Sequence, residues 1–78
     1  MTEQEWREEF AHRLQVLSYR KKRYNKKQLA EASGLSEKTI GRYRRGERIP
    51  DAISLSKIAR ALDCSVDELI PDEDITEE

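Results

Sequence analysis

Residues 25 to 50, NKKQLAEASGLSEKTIGRYRRGERIP, carry start and stop signals for two short helices with only a tight turn between them. Asn25 can cap a helix whose third position is Gln28, a pairing that satisfies two orphan amides at a helix start. Leu29 and Ala30 then turn inward. Gly34 falls where the chain must reverse within a few residues, and its missing Cβ permits the positive φ that such a turn needs. Ser36 can cap the second helix. Within it, Ile40 and Tyr43 are three apart and can face the first helix of the pair, while Glu37, Lys38, Gly41, Arg42 and Arg45 fall on the opposite side. Gly46 ends this helix and Pro50 prevents its resumption.

The flanks read as helices too. Thr2 and Glu5 form a capping box, and Trp6, Phe10, Leu14 and Leu17 recur at helical spacing, so a first helix is expected from Glu3 to about Arg20. Asp51 starts a fourth helix with Leu55, Ile58, Ala59 and Leu62 on one face. Asp63 follows it, and Asp tolerates left-handed backbone better than most residues. Ser65 and Glu68 form another capping box, opening a short fifth helix with Val66, Leu69 and Ile70 before Pro71 breaks it. No strand pattern or internal repeat competes. The expectation is an all-α, five-helix domain over residues 1–70, with its two-helix unit at 25–46, and an acidic, disordered tail at 71–78.

Seventy-eight residues make one domain with a small core. The single cysteine, Cys64, cannot form an internal disulfide. His12 has no carboxylate or serine partner at useful spacing. With one His, one Cys and no glycine-rich phosphate loop, neither an enzyme nor a metal or cofactor site is expected. No apolar run is long enough to span a bilayer, and the acidic start does not resemble a signal peptide, so a cytoplasmic protein is expected.

Net charge is −1, but the charges are segregated. Residues 12–48 hold 12 Lys/Arg against 3 Glu, an excess of nine, whereas residues 63–78 hold eight acids and no base. Screening confines each patch's field to about 10 Å at ordinary salt, so the asymmetry counts for more than the total. A basic run such as Arg20 to Arg23 can be a solvated helix face. Beside two helices, a tight turn and a basic second helix, it points to DNA phosphate.

The spacing of Leu29-Ala30, Gly34-x-Ser36, Thr39-Ile40, Arg42-Tyr43, Arg45-Gly46 and Pro50 resembles the Cro and lambda-repressor type of helix-turn-helix, the XRE family. The likeness continues through LSKIARALDCSVDELI at 55–70 and covers roughly Arg13 to Ile70. It implies a lambda-repressor-like fold with an extended first helix, and a homodimeric DNA-binding regulator, a repressor of phage, prophage or other mobile-element type. It also implies that the start of the third helix meets base edges in the major groove. Carried over by position, Glu37, Lys38 and Arg42 become base readers, and Lys26, Lys27, Thr39, Arg44, Arg45 and Arg48 phosphate contacts. Arg42 and Lys38 suit guanine O6 and N7, and Glu37 suits cytosine N4, although an acid there also serves a helix N-terminus. Ile53, Leu69 and Ile70 are the candidates for a dimer surface.

Two departures from the family stand out. The family often pairs an arginine late in helix 1 with a glutamate in helix 3. Here the first position is Ser18 if the following loop carries one extra residue, or Tyr19 if it does not, and the second is Arg44, left to face phosphate or to pair with Glu47. Gly41 sits in mid-helix, where it costs up to about 1 kcal/mol relative to alanine; either a close approach to DNA requires it or the cost is tolerated. Trp6 and Phe10 lie earlier than the family's first helix. They either pack against the C-terminal helix or present a surface to a protein partner, as an antitoxin or adaptor would.

Overall fold

The computed structural model describes residues 1–76. The chain forms α1 (Glu3–Leu17), which runs directly into a π-helical turn (Ser18–Lys22), then α2 (Lys26–Ser33), α3 (Glu37–Arg44), α4 (Ala52–Ala61) and α5 (Val66–Leu69). Five α-helices and no strand are present among the described residues. Capping boxes close the starts of α1, α2 and α5 through Thr2 with Glu5, Asn25 with Gln28 and Ser65 with Glu68. Ser36 and Asp51 accept from the third amide of α3 and α4. Each satisfies a donor that the helix itself cannot.

The helix ends obey the same accounting. After α3, Gly46 takes φ 71°, its amide donating to the Tyr43 carbonyl and that of Glu47 to the Arg42 carbonyl. After α4, Asp63 takes φ 52°, with Asp63 N donating to Arg60 O and Cys64 N to Ala59 O. Both are Schellman closures, the second built on aspartate rather than glycine.

The first helix differs from the expectation in its last turn. It stops as an α-helix at Leu17 and continues as the π turn, in which Tyr24 N reaches back to Ser18 O at 3.1 Å. A π turn absorbs one additional residue without breaking the helix. It leaves Ser18 facing inward, its hydroxyl donating to Leu14 O at 2.6 Å, and Tyr19 facing outward. Of the two candidate positions late in helix 1, Ser18 is therefore the inward-facing one and Tyr19 the outward-facing one.

One core joins all five helices: Phe10 and Leu14 of α1, Leu29 and Ala30 of α2, Ile40 and Tyr43 of α3, Ile58 and Ala59 of α4 with Leu62 just after it, and Leu69 of α5. Phe10 stacks on Trp6 at 5.7 Å and meets Tyr43 edge-on at 5.9 Å. Phe10 is fully buried and Trp6 half-buried against the same cluster, so the partner-surface reading of Phe10 is corrected: burial of so large a ring drives the fold instead. Leu69, expected at a dimer surface, is likewise buried completely, because the single turn of α5 has no other apolar residue deep enough to anchor it.

Residues 71–76, expected to be disordered, lie along α1. Thr76 N donates to Met1 O at 2.8 Å, and Asp72 stands 3.5 Å from the Arg13 guanidinium. Glu77 and Glu78, the remainder of the expected disordered tail, fall outside the described residues.

Candidate nucleic-acid interface

The arrangement around α3 starts with what holds it. Its inward face, Ile40 and Tyr43, is buried. Its C-terminal end is fastened from α1 by two side chains: Gln15 Nε2 donates to Arg44 O at 3.1 Å, and Arg7 Nε donates to Gly46 O at 3.0 Å. Unpaired carbonyls at a helix end are thereby satisfied by a rigid neighbour rather than by water. Its start is fixed by Ser36, whose oxygen accepts from Thr39 N at 3.1 Å and whose hydroxyl donates to Thr39 Oγ1 at 2.9 Å. A helix pinned at both ends presents its outer face in one orientation.

That outer face carries Glu37 and Lys38, both exposed, and half-exposed Arg42. None of the three forms an ion pair among the described residues. Lys26 and Lys27 are exposed on the first turn of α2, whose amino end adds a partial positive charge. Thr39 is half-buried, with Oγ1 already accepting from Ser36 but its own proton available to a phosphate. Arg48 is exposed just beyond α3.

Arg44 and Arg45 divide differently from the sequence reading. Glu47 pairs with Arg45 Nε, not with Arg44. That hydrogen-bonded pair raises the Arg45 guanidinium and lowers the Glu47 carboxyl relative to their ordinary values, chiefly through the bond itself. Arg44 is half-buried against α1, with its carbonyl taken by Gln15.

Gly41 is buried, although it lies on the side that was expected to face outward. A Cβ placed there would stand 3.1 Å from Arg45 Nη1 and 3.5 Å from Lys26 Cδ. The glycine is thus a shallow slot over which a lysine from α2 and the arginine just after α3 converge. Sequence reading missed this use, because nothing local to Gly41 signals that a side chain from another helix crosses it.

Of the dimer candidates, Ile53 is 69% exposed at the start of α4, with Ile49 nearby at 38%. Ile70 is half-buried. No group of three or more potential metal ligands occurs among the described residues, and no helix there is long and apolar enough to cross a membrane.

A helix-turn-helix family profile matches residues 16–69. The chain belongs to the XRE-type helix-turn-helix family. It is accordingly a DNA-binding transcriptional regulator. Among solved structures it is similar to the restriction-modification controller protein C.AhdI from Aeromonas hydrophila. Identity is 33% and the TM-score 0.76, with 82% of this chain and 96% of that one covered. No curated protein matches the chain. The family segment takes in α2 to α5 and the end of α1 but leaves out Trp6, Arg7 and Phe10, which the wider fold uses to cover the core and fasten α3.

Proposed function

We propose that this chain binds a specific duplex DNA site as a homodimer, laying α3 in the major groove, and regulates transcription with no catalytic step of its own. The carrying observation is the pinned helix α3 with Glu37, Lys38 and Arg42 on its outer face, flanked by Lys26 and Lys27. Lys38 and Arg42 would read guanine edges and Glu37 a cytosine amine. Lys26, Lys27, Thr39, Arg44, Arg45 and Arg48 would meet phosphates, positioning the helix without reading sequence. Likeness to a restriction-modification controller supports a regulator of that kind, alongside the phage or prophage repressor that the XRE pattern implies. Either role would be carried out in the cytoplasm.

Dimerisation would use the exposed start of α4, where Ile53 and Ile49 leave apolar surface, with Ile70 at its margin. A protein-interaction module is the competing reading, and it needs an open apolar surface around Trp6. Exposed large hydrophobic residues among those described are Tyr19, Ile49 and Ile53, which favours the DNA regulator. Selection of bound duplexes from a random pool, followed by titration on the selected site, tests the proposal. Sites with inverted half-sites about 34 Å apart are expected, with log affinity falling against log salt by about 0.9 per phosphate contacted. A chain that retains no duplex at about 50 mM salt, where such electrostatic binding is strong, is not a DNA regulator of this kind.

A further inference from the structure

We infer that the π turn between α1 and α2 is a second phosphate-binding surface, which grips duplex DNA outside the base pairs that α3 reads. This rests on the DNA-binding reading above. The turn holds Tyr19, Arg20, Lys21 and Lys22, and Arg23 closes it; all five are exposed. Arg7, Arg13 and Arg45 each sit against a carboxylate, but Arg20, Lys22 and Arg23 form no ion pair among the described residues. A cluster of like charges without counter-charge is a standing repulsion that an anionic surface relieves. Lys21 likewise forms no ion pair among the described residues.

Geometry adds preorganisation. Arg23 adopts left-handed backbone, φ 55°, with its amide donating to Tyr19 O at 3.2 Å. Its guanidinium carbon lies 5.4 Å from the Tyr19 ring centroid. An arginine laid on an aromatic face has already given up much of its rotamer freedom, so a phosphate contact costs less ordering. The stack gives Tyr19, 65% exposed, a cationic neighbour at the close of its own turn. Arg23 is three residues before Lys26, a separation of at most about 11 Å along the backbone. Lys26 itself crosses to Gly41 on α3. The turn thus lies within short reach of the start of α2 and, through Lys26, of α3, and on this inference a duplex seated on α3 carries its backbone past the turn.

The test uses the selected site in two duplexes, one ending at the site's edge and one extended by about ten base pairs, one helical turn, on each side. The variant Arg20→Gln with Arg23→Asn removes both charges, and asparagine tolerates the left-handed backbone. On the extended duplex the variant is expected to bind more weakly than the parent. Its deficit should shrink about 3.5-fold per lost contact between 50 and 200 mM salt, since each contact carries a slope near 0.9. On the trimmed duplex the two proteins should bind alike. Tyr19→Ala, which removes the ring and no charge, should show the same duplex dependence with a smaller deficit. Equal losses on both duplexes, or no loss on either, overturn the second surface while leaving DNA binding intact. A parent that binds neither duplex overturns the DNA reading and this inference with it. Unchanged thermal midpoints of the variants keep misfolding out of the comparison.

Discussion

Lys26 of α2 and Gly41 of α3 meet so closely that a Cβ on the glycine would lie 3.5 Å from the lysine Cδ, with Arg45 Nη1 nearer still at 3.1 Å. Both neighbours are the outer parts of flexible side chains, so Gly41→Ala is accommodated. Removing a mid-helix glycine should stabilise the fold by up to about 1 kcal/mol, while the displaced cations weaken DNA binding. Thermal unfolding and duplex titration on the same variant check this. A raised midpoint with unchanged affinity would mean that the glycine is merely tolerated.

Base reading and phosphate contact separate by mutation. Arg42→Ala is expected to cost about 1 to 3 kcal/mol on the preferred site and to relax preference at one base pair, because base edges differ in donor and acceptor pattern. Lys26→Ala should weaken all sequences alike and flatten the salt slope by about one unit. Parallel curves on preferred and scrambled duplexes measure both. Equal loss on the two duplexes for Arg42→Ala removes it from the base readers.

Ile53→Asp places a charge on the most exposed large aliphatic side chain among the described residues. It should dissociate a dimer without unfolding the domain, and it should lower affinity for an inverted repeat far more than for a single half-site. Sedimentation with and without DNA decides the matter; a variant that still sediments as a dimer moves the interface elsewhere.

Phe10 lies under Trp6 and against Tyr43, so Phe10→Ala opens a cavity where α1 meets α3. A loss of about 3 to 5 kcal/mol is expected, much of the total stability of a domain this small. Denaturant unfolding gives the value, and a loss under about 1 kcal/mol, small against the usual range for such truncations, would place Phe10 outside the main core.

Acid should loosen the start of α4. The Ser54 amide donates to Asp51 and, with the nearby cations Arg48 and Lys57 contributing less, holds its carboxyl below the ordinary aspartate value. A depressed folded value means that the contribution is complete above the unfolded value, about 3.9, and is lost as pH falls through the folded one. Asp51→Asn keeps a cap oxygen but does not titrate, so its midpoint should fall less steeply than the parent's below about pH 4. Parallel acid limbs for the two proteins would remove Asp51 as a cause.

What the sequence disclosed and what it withheld separate by range. Thr2, Asn25, Ser36, Asp51 and Ser65 were legible as helix starts because a cap acts within three residues of itself. The left-handed backbone of Asp63 was legible through the family resemblance, which often has glycine there, together with the tolerance of Asp for that geometry. The π turn was seen only as a one-residue ambiguity between Ser18 and Tyr19, because where a helix stores an extra residue depends on which side chain the core accepts. Glu47 was offered to Arg44 on charge alone, whereas the Schellman closure turns it toward Arg45. The meeting of Met1 with Thr76 joins opposite ends of the chain, and no window of sequence contains both.

Arg7 donates to Gly46 O from outside the segment that the family shares. The end of α3 is therefore braced by a residue that a transplanted 16–69 module would not carry. Grafted into another protein, such a module would keep every base-facing side chain and lose a strut behind them, leaving the Gly46 carbonyl to water. Edits at the far N-terminus could then tune the stiffness of the reading head without altering what it reads, which makes that remote helical turn a place where affinity and sequence preference can evolve apart.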